Sequence, residues 1–190
     1  MANVSRPRGF VPVRHLDGSP WNGQTETFLI DSGDGTATFI GDAVKLAGSA
    51  GVAGQVVFGQ NVEGMATVIR CASGSSEAAL VGVVIGFSPD PNNLMKKHRA
   101  ASESRLAYVV TDPTVVFELQ EDAVGSNVAA ADIGLAGVFT TTAGSATTGV
   151  SGMEYDSSQT ANTATFPLKL VGLSRRADNA FGLSTSDKAK

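Results

Sequence analysis

The chain has 190 residues, of which 42% are hydrophobic, only 6% aromatic and 17% charged. This length fits one domain, or one domain with an arm, and the formal net charge of −4 argues against a nucleic-acid-binding chain. The single cysteine excludes an intrachain disulfide, no apolar run approaches the ~20 residues of a transmembrane helix, and the N-terminus lacks the apolar stretch of a signal peptide.

The first 23 residues predict an extended N-terminal arm. Pro7, Pro12 and Pro20 disfavour helix and bias the residues before them toward extended backbone. Arginines alternate with spaced apolar residues, which suggests an arm that cannot bury itself and anchors on another surface. The alternative is a disordered tail, but two aromatic residues argue against it, because disordered segments are poor in aromatics. The apolar residues of the arm are Phe10, Val11, Val13, Leu16 and Trp21.

Residues 24–190 predict a β-rich body. Short runs of β-branched and aromatic residues, separated by Gly, Pro and Asn, favour strands over helices. The fold class is therefore all-β, a small β-barrel or sandwich of short antiparallel strands with little helix. One helical turn or short 3₁₀ piece is expected at 128–134. Strands are predicted at 25–30, 36–40, 42–46, 56–58, 65–71, 80–87, 106–110, 115–119, 138–142, 152–155 and 163–171.

The segments between these strands read as loops. The residues at 31–35 form a Gly/Asp turn, whose acidic spacing does not match an EF-hand, so no metal is predicted. Glycine recurs at every third position in 48–54 without a phosphate-binding pattern, and 143–149 and 156–162 read as exposed loops. Pro167 is expected at a sheet edge or a strand start, because it cannot donate to a ladder.

The densest basic cluster, Lys96, Lys97, His98 and Arg99, lies between two predicted strands. We interpret it as a positively charged excursion that contacts a partner; the alternative is a solvated hairpin. His98 could act as a pH-sensitive contact, although its basic neighbours favour a neutral surface imidazole.

Catalytic and metal-binding patterns are absent from the sequence. There is no zinc-ligand spacing, no nucleophile elbow and no P-loop. Cys71 is expected to be a small buried hydrophobe rather than a nucleophile. The sequence therefore predicts neither an enzyme nor a cofactor, although catalytic residues can also assemble from distant loops.

Three blocks of the sequence resemble one family. The first is ANVSRPRGF at 2–10 with 12–16 and GSPWNG at 18–23, and the second is 82–86 with NLMKKHR at 93–99 and 108–110. The third is TFPLKLVG at 165–172 with 176–179. Together and in this order they resemble the capsid decoration (cement) proteins of tailed bacteriophages, which sit outside a shell of HK97-like major capsid subunits.

The resemblance implies an all-β body, a small symmetric homo-oligomer that is a trimer, and no catalysis. It implies the major capsid protein as partner, no nucleic acid and no membrane. The chain would be made in the bacterial host cytoplasm and reside on the outer capsid surface of the virion. The resemblance implies a pattern that continues past Asp187 into a last strand, whereas this chain stops at Lys190. If that strand is missing, one sheet edge is expected to be open or filled by a neighbour.

The combined hypothesis is that spaced anchors and basic side chains bind capsid subunits or a sister protomer. Symmetric copies would gain avidity, and charge would set register and on-rate. The predicted apolar anchors are Phe10, Val13, Leu16 and Trp21. The predicted polar contacts are Arg6, Arg8, Arg14, Lys96, Lys97, His98 and Arg99.

A second hypothesis is a β-rich carbohydrate-binding or host-adhesion module on the virion. Such sites stack sugars on exposed aromatic rings, for which Trp21, Tyr108 and Tyr155 are the natural candidates, although Tyr108 falls in a predicted strand. Glycan binding would discriminate it from the first hypothesis. A nucleic-acid binder would need a basic face with aromatics, which the acidic sequence does not show.

Overall fold

A computed structural model describes residues 5–72, 80–161, 165–177 and 179–181, and these residues form an all-β protein. One 3₁₀ turn, Ala130–Asp132, lies where the sequence predicts it. The strands are β1 (Val11–His15), β2 (Glu26–Ile30), β3 (Ala43–Ala50), β4 (Val56–Val57), β5 (Gln60–Asn61), β6 (Ala66–Arg70), β7 (Gly82–Phe87), β8 (Arg105–Val110), β9 (Val115–Glu118), β10 (Ala136–Thr142), β11 (Gly152–Ala161) and β12 (Leu168–Lys169).

Five strands close into a barrel in the order β2-β6-β3-β7-β8. The pairs are antiparallel except β2 with β6, which run parallel through Leu29 and Thr67. Closure removes the open edges that a small sheet would otherwise expose. The barrel is filled by side chains that alternate with outward-facing ones along each strand: Phe28, Ile30, Val44, Val68, Val84, Ala107 and Val109.

A second core packs on the outside of the barrel wall. Neighbouring residues on a strand point to opposite faces, so Val44 and Val84 face into the barrel while Ala43 and Val83 face outward. The sheet β11-β10-β12 and the ribbon β1-β9 cover this outer face. The second core consists of Phe10, Ala43, Cys71, Val83, Phe139 and Met153.

The N-terminal segment lies along the body. β1 pairs antiparallel with β9, and the Phe10 amide donates a 2.9 Å hydrogen bond to the Gly41 carbonyl. Gly9 has φ +68°, and a Cβ there would collide with the carbonyl of Gly41, so the crossing requires glycine. The expectation that this segment cannot bury itself is wrong, because Phe10 is only 4% exposed. The division of the chain into an arm at 1–23 and a body at 24–190 stays a prediction.

Several element predictions need correction. No strand forms at 36–40, where Thr38 and Ile40 make only isolated bridges. The predicted loop at 156–162 is strand as far as Ala161, because β11 pairs with the start of β10 across a register shift. In the predicted strand at 163–171, residues 163–164 lie outside the described residues and the ladder is limited to β12. Pro167 directly precedes this edge strand, as expected.

Candidate functional site

Residues 88–104, which join β7 to β8, form a braced loop rather than a solvated hairpin. Arg99 is completely buried. Its guanidinium donates hydrogen bonds of 2.6–2.7 Å to four backbone carbonyls, those of Asp31, Asp34, Thr36 and Glu103. The prediction that Arg99 contacts a partner is therefore wrong, since every face of its head group is used within the chain.

Arg105 braces the same loop from its other end. It is 2% exposed, donates to the carbonyls of Ser88, Lys96 and His98, and lies 5.4 Å from the centroid of the Phe87 ring. Burial lowers the pKa of the Arg105 guanidinium, opposed by the nearby negative charge of Glu103. Nothing in the local sequence pattern predicts that Arg105, like Arg99, is buried.

The other basic residues of the cluster differ in environment. The Lys96 ammonium forms an ion pair with Glu103 and lies 3.9 Å from Asp90, whereas Lys97 is exposed. His98 stacks on Phe39 with ring centroids 5.0 Å apart. Burial lowers the pKa of His98, and the charges of Lys96 and Arg105 lower it further. A neutral imidazole is thus favoured, on a half-buried ring rather than at the surface.

The tip of the loop carries two exposed apolar side chains that the sequence reasoning missed. Leu94 is 78% exposed and Met95 81%, the highest values among the exposed large hydrophobic residues that the structure describes. We call this pair the apolar tip. The available signal is the apolar pair itself, which stands between Asn93 and Lys96 in a segment rich in turn-forming residues.

β1 presents a second exposed apolar surface. Val13 is 50% and Leu16 58% exposed, and the Arg14 guanidinium donates to the His15 carbonyl. These residues line an open groove of about 1560 Å³. The β1-β9 ribbon forms one wall of the groove, and residues 167–176, which follow β11, form another. Its apolar lining includes Val13, Leu16, Ile133, Leu168, Leu170 and Val171. The structure thus brings three predicted contacts, at 13, 14 and 16, to one surface.

The turn at the end of β1 is acidic. Asp17 and Asp112 are both exposed, and the imidazole of His15 lies 3.4 Å from the carboxylate of Asp112. Hydrogen bonds from Ser19 lower the pKa of Asp17, and hydrogen bonds from Thr114 lower that of Asp112. Both carboxylates are therefore ionised near neutral pH. We call Leu16, Asp17 and Asp112 the acidic end of the ribbon.

The remaining predicted contacts lie elsewhere on the N-terminal segment. Arg8 forms a 2.7 Å ion pair with Glu118, which Arg176 also approaches to 3.3 Å. Arg6 is exposed, and its backbone amide donates to the Gln120 side chain. Trp21 is half-buried, and its indole N–H has no hydrogen-bond partner among the residues that the structure describes. The predicted contacts thus do not form one patch.

No family model, curated protein or solved structure matches this chain. Across the described ranges, no group of three or more His, Cys, Asp or Glu residues is placed to hold a metal ion. In the same part of the chain, no helix has the length and hydropathy needed to cross a membrane.

Proposed function

We propose that this chain is a structural virion protein that decorates and cements the outer surface of an HK97-like phage capsid as a homo-oligomer. The observation that carries the proposal is the exposed stripe on β1, where Val13 and Leu16 flank Arg14 beside an open apolar groove. The three sequence blocks that resemble decoration proteins support it from a separate direction.

The physical argument is that a cement protein binds through many modest contacts. Half-exposed aliphatic side chains each contribute little, but copies linked in an oligomer engage adjacent capsid subunits together and gain avidity. Exposed basic side chains on the same face set the register and raise the on-rate toward an acidic shell. Both kinds of group lie along the first 21 residues.

Five of the predicted contact residues are engaged within the chain, and we leave them out of the proposed contact surface. Phe10 and Arg99 are buried within the chain, and Lys96 and Arg8 are engaged by carboxylates of the chain. His98 is stacked on Phe39. The contacts that we retain for the capsid or a sister protomer are Arg6, Val13, Arg14, Leu16, Trp21 and Lys97.

The adhesion alternative draws no support from the aromatic residues. Trp21 and Tyr108 are half-buried, and Tyr155 is 5% exposed. None of the three is an exposed residue, whereas sugars stack on rings that are open to solvent.

The proposal is tested by co-sedimentation of the protein with empty shells of the HK97-like major capsid protein of the encoding virus. Val13→Asp combined with Arg14→Glu should abolish retention on shells, and Trp21→Ala should weaken it, while unfolding curves show that the β body remains folded. Val56→Asp, at a 59% exposed site on the β4-β5 hairpin, is the matched control. Retention of the double variant at the native level would refute the proposal.

A further inference from the structure

We propose that copies of this chain associate head to tail, with the apolar tip of one copy docked on the acidic end of the ribbon of the next. This inference deepens the homo-oligomer of the proposed function, but the contact requires no capsid. The self-contact can therefore be tested with the purified protein in solution.

The tip is built as a rigid ligand. Two adjacent side chains, Leu94 and Met95, are about four-fifths exposed, yet the loop beneath them is fixed by two buried arginines. Arg105 holds the carbonyls of Lys96 and His98 directly after the tip, and Arg99 ties the loop to the turn after β2. Docking such a loop loses little backbone entropy, because the order exists before binding.

The acidic end is a suitable receptor for this tip. Leu16 is 58% exposed and lines the apolar groove, so it can cover an aliphatic partner. Asp17 and Asp112 stand beside it as exposed carboxylates. The surface is thus apolar with an acidic border.

Charge makes the two surfaces complementary. Lys97 is exposed two residues after Met95, and within the described part of the chain it makes no ion pair, whereas Lys96 is neutralised by Glu103. Lys97 can therefore face the Asp17 and Asp112 carboxylates of another copy. Two basic residues lie near the receptor: the Arg14 guanidinium donates to the His15 carbonyl, and the His15 imidazole lies 3.4 Å from the Asp112 carboxylate. The Asp17 carboxylate accepts only from Ser19 among the contacts of the described residues.

The topology keeps the two surfaces of one copy apart. In the β7-β8 pair, Phe87 lies opposite Ala107 and Val83 opposite Val110. The loop that carries the tip begins after Phe87, at one end of this pair. Asp112 follows Val110, at the other end. Strands of six residues separate the ends by about 20 Å, so the tip can reach an acidic end only on another copy. Such a heterologous contact closes into a ring or continues as a filament.

The first test is the molar mass of the purified protein by light scattering over a concentration series, without capsid. The native chain should associate, and Leu94→Asp with Met95→Asp should weaken association by about tenfold or more, since two apolar side chains lose their burial. Val52→Asp, at a 67% exposed site on another loop, should associate as the native chain does. A native chain that is monomeric throughout, or a tip variant that associates normally, would overturn the proposal.

Charge reversal gives a second, independent test. Lys97→Glu alone and Asp17→Lys alone should each weaken association, and the chain that carries both changes should regain it. Recovered association cannot come from one substitution repairing a local distortion caused by the other, because the two sites lie far apart in one copy. Lack of recovery, with both variants folded, would contradict the pairing.

Shell binding measured in parallel separates this inference from the proposed function. Native association without any binding to shells would leave the head-to-tail contact standing and refute decoration. A tip variant that still associates but no longer binds shells would show that the tip contacts the capsid, which would refute the self-contact.

Discussion

Arg99 and Asp34 are joined twice. The Nη2 of Arg99 lies 2.7 Å from the Asp34 carbonyl, and its Nη1 lies 3.4 Å from the Asp34 carboxylate. Asp34 belongs to the turn after β2, whereas Arg99 lies in the loop between β7 and β8. The buried Arg99 side chain therefore ties the loop that carries the apolar tip to the turn after β2.

Arg99→Met should destabilise the protein by about 3 kcal/mol, because it leaves the carboxylate of Asp34 and four carbonyls without their cationic partner. The measurement is urea unfolding followed by circular dichroism. Lys97→Met, at an exposed site in the same loop, should change the unfolding free energy by less than about 0.5 kcal/mol. Equal effects from the two variants would contradict the bracing role.

Phe10→Ala should cost about 3 kcal/mol of stability, although the residue lies in a segment that the sequence presents as an arm. Its ring packs edge-on against Phe139 and Phe117 at centroid distances of 5.5 and 6.1 Å, and truncation would leave a cavity. Leu16→Ala, at an exposed position on the same segment, should change stability by less than about 0.5 kcal/mol. Thermal or urea unfolding of both variants distinguishes core from contact residue.

A buried carboxylate links the barrel to the outer sheet. Asp42 is fully buried, lies 3.1 Å from the Arg70 guanidinium and accepts a hydrogen bond from the Ser151 hydroxyl. Burial raises the pKa of Asp42 above its ordinary value near 3.8, although Arg70 and Ser151 oppose the shift. The folded state therefore binds this proton more tightly than the unfolded state does.

Consequently, the ionisation of Asp42 should lower stability as pH rises from its unfolded pKa through its folded pKa. In Asp42→Asn this contribution is absent. As pH falls from the folded pKa of Asp42 to its unfolded pKa, the native chain should therefore gain unfolding free energy relative to the variant. Urea unfolding of both proteins across the acidic range measures the difference. A difference independent of pH would show that the Asp42 pKa is not raised.

His98 should make the opposite contribution. Burial and the neighbouring charges hold its pKa below the ordinary 6.5, so the unfolded state binds the proton more tightly and stability falls as pH drops through 6.5 toward the folded pKa. His98→Phe preserves the stack on Phe39 and removes the titration. The variant should lose less stability than the native chain over that interval, and parallel pH profiles would refute the shift.

The sequence predicted most strands because their signal is local. Alternating β-branched residues mark β2, β6, β8 and β9 whatever they pair with, and turn residues bound them. The pairing of β1 with β9 is different, since it joins residues about a hundred positions apart. No local pattern encodes it, and so the N-terminal segment looked like an unpartnered arm.

The candidate site was less predictable than the fold. A run of basic residues shows where positive charge lies in the sequence, but it does not show which side chain will hydrogen-bond to buried carbonyls. In this structure Arg99 is buried and Lys97 is exposed. Likewise, the polar residues of β11 from Asp156 onward resemble a loop, but their backbone extends the ladder to Ala161. In both cases tertiary hydrogen bonds override the local composition.

Cryo-electron microscopy of empty shells incubated with the native protein tests decoration most directly. We predict regular density on the outer lattice, with Val13 and Arg14 of β1 against capsid subunits. An empty lattice, or density confined to the tail or the vertices, would contradict decoration of the shell.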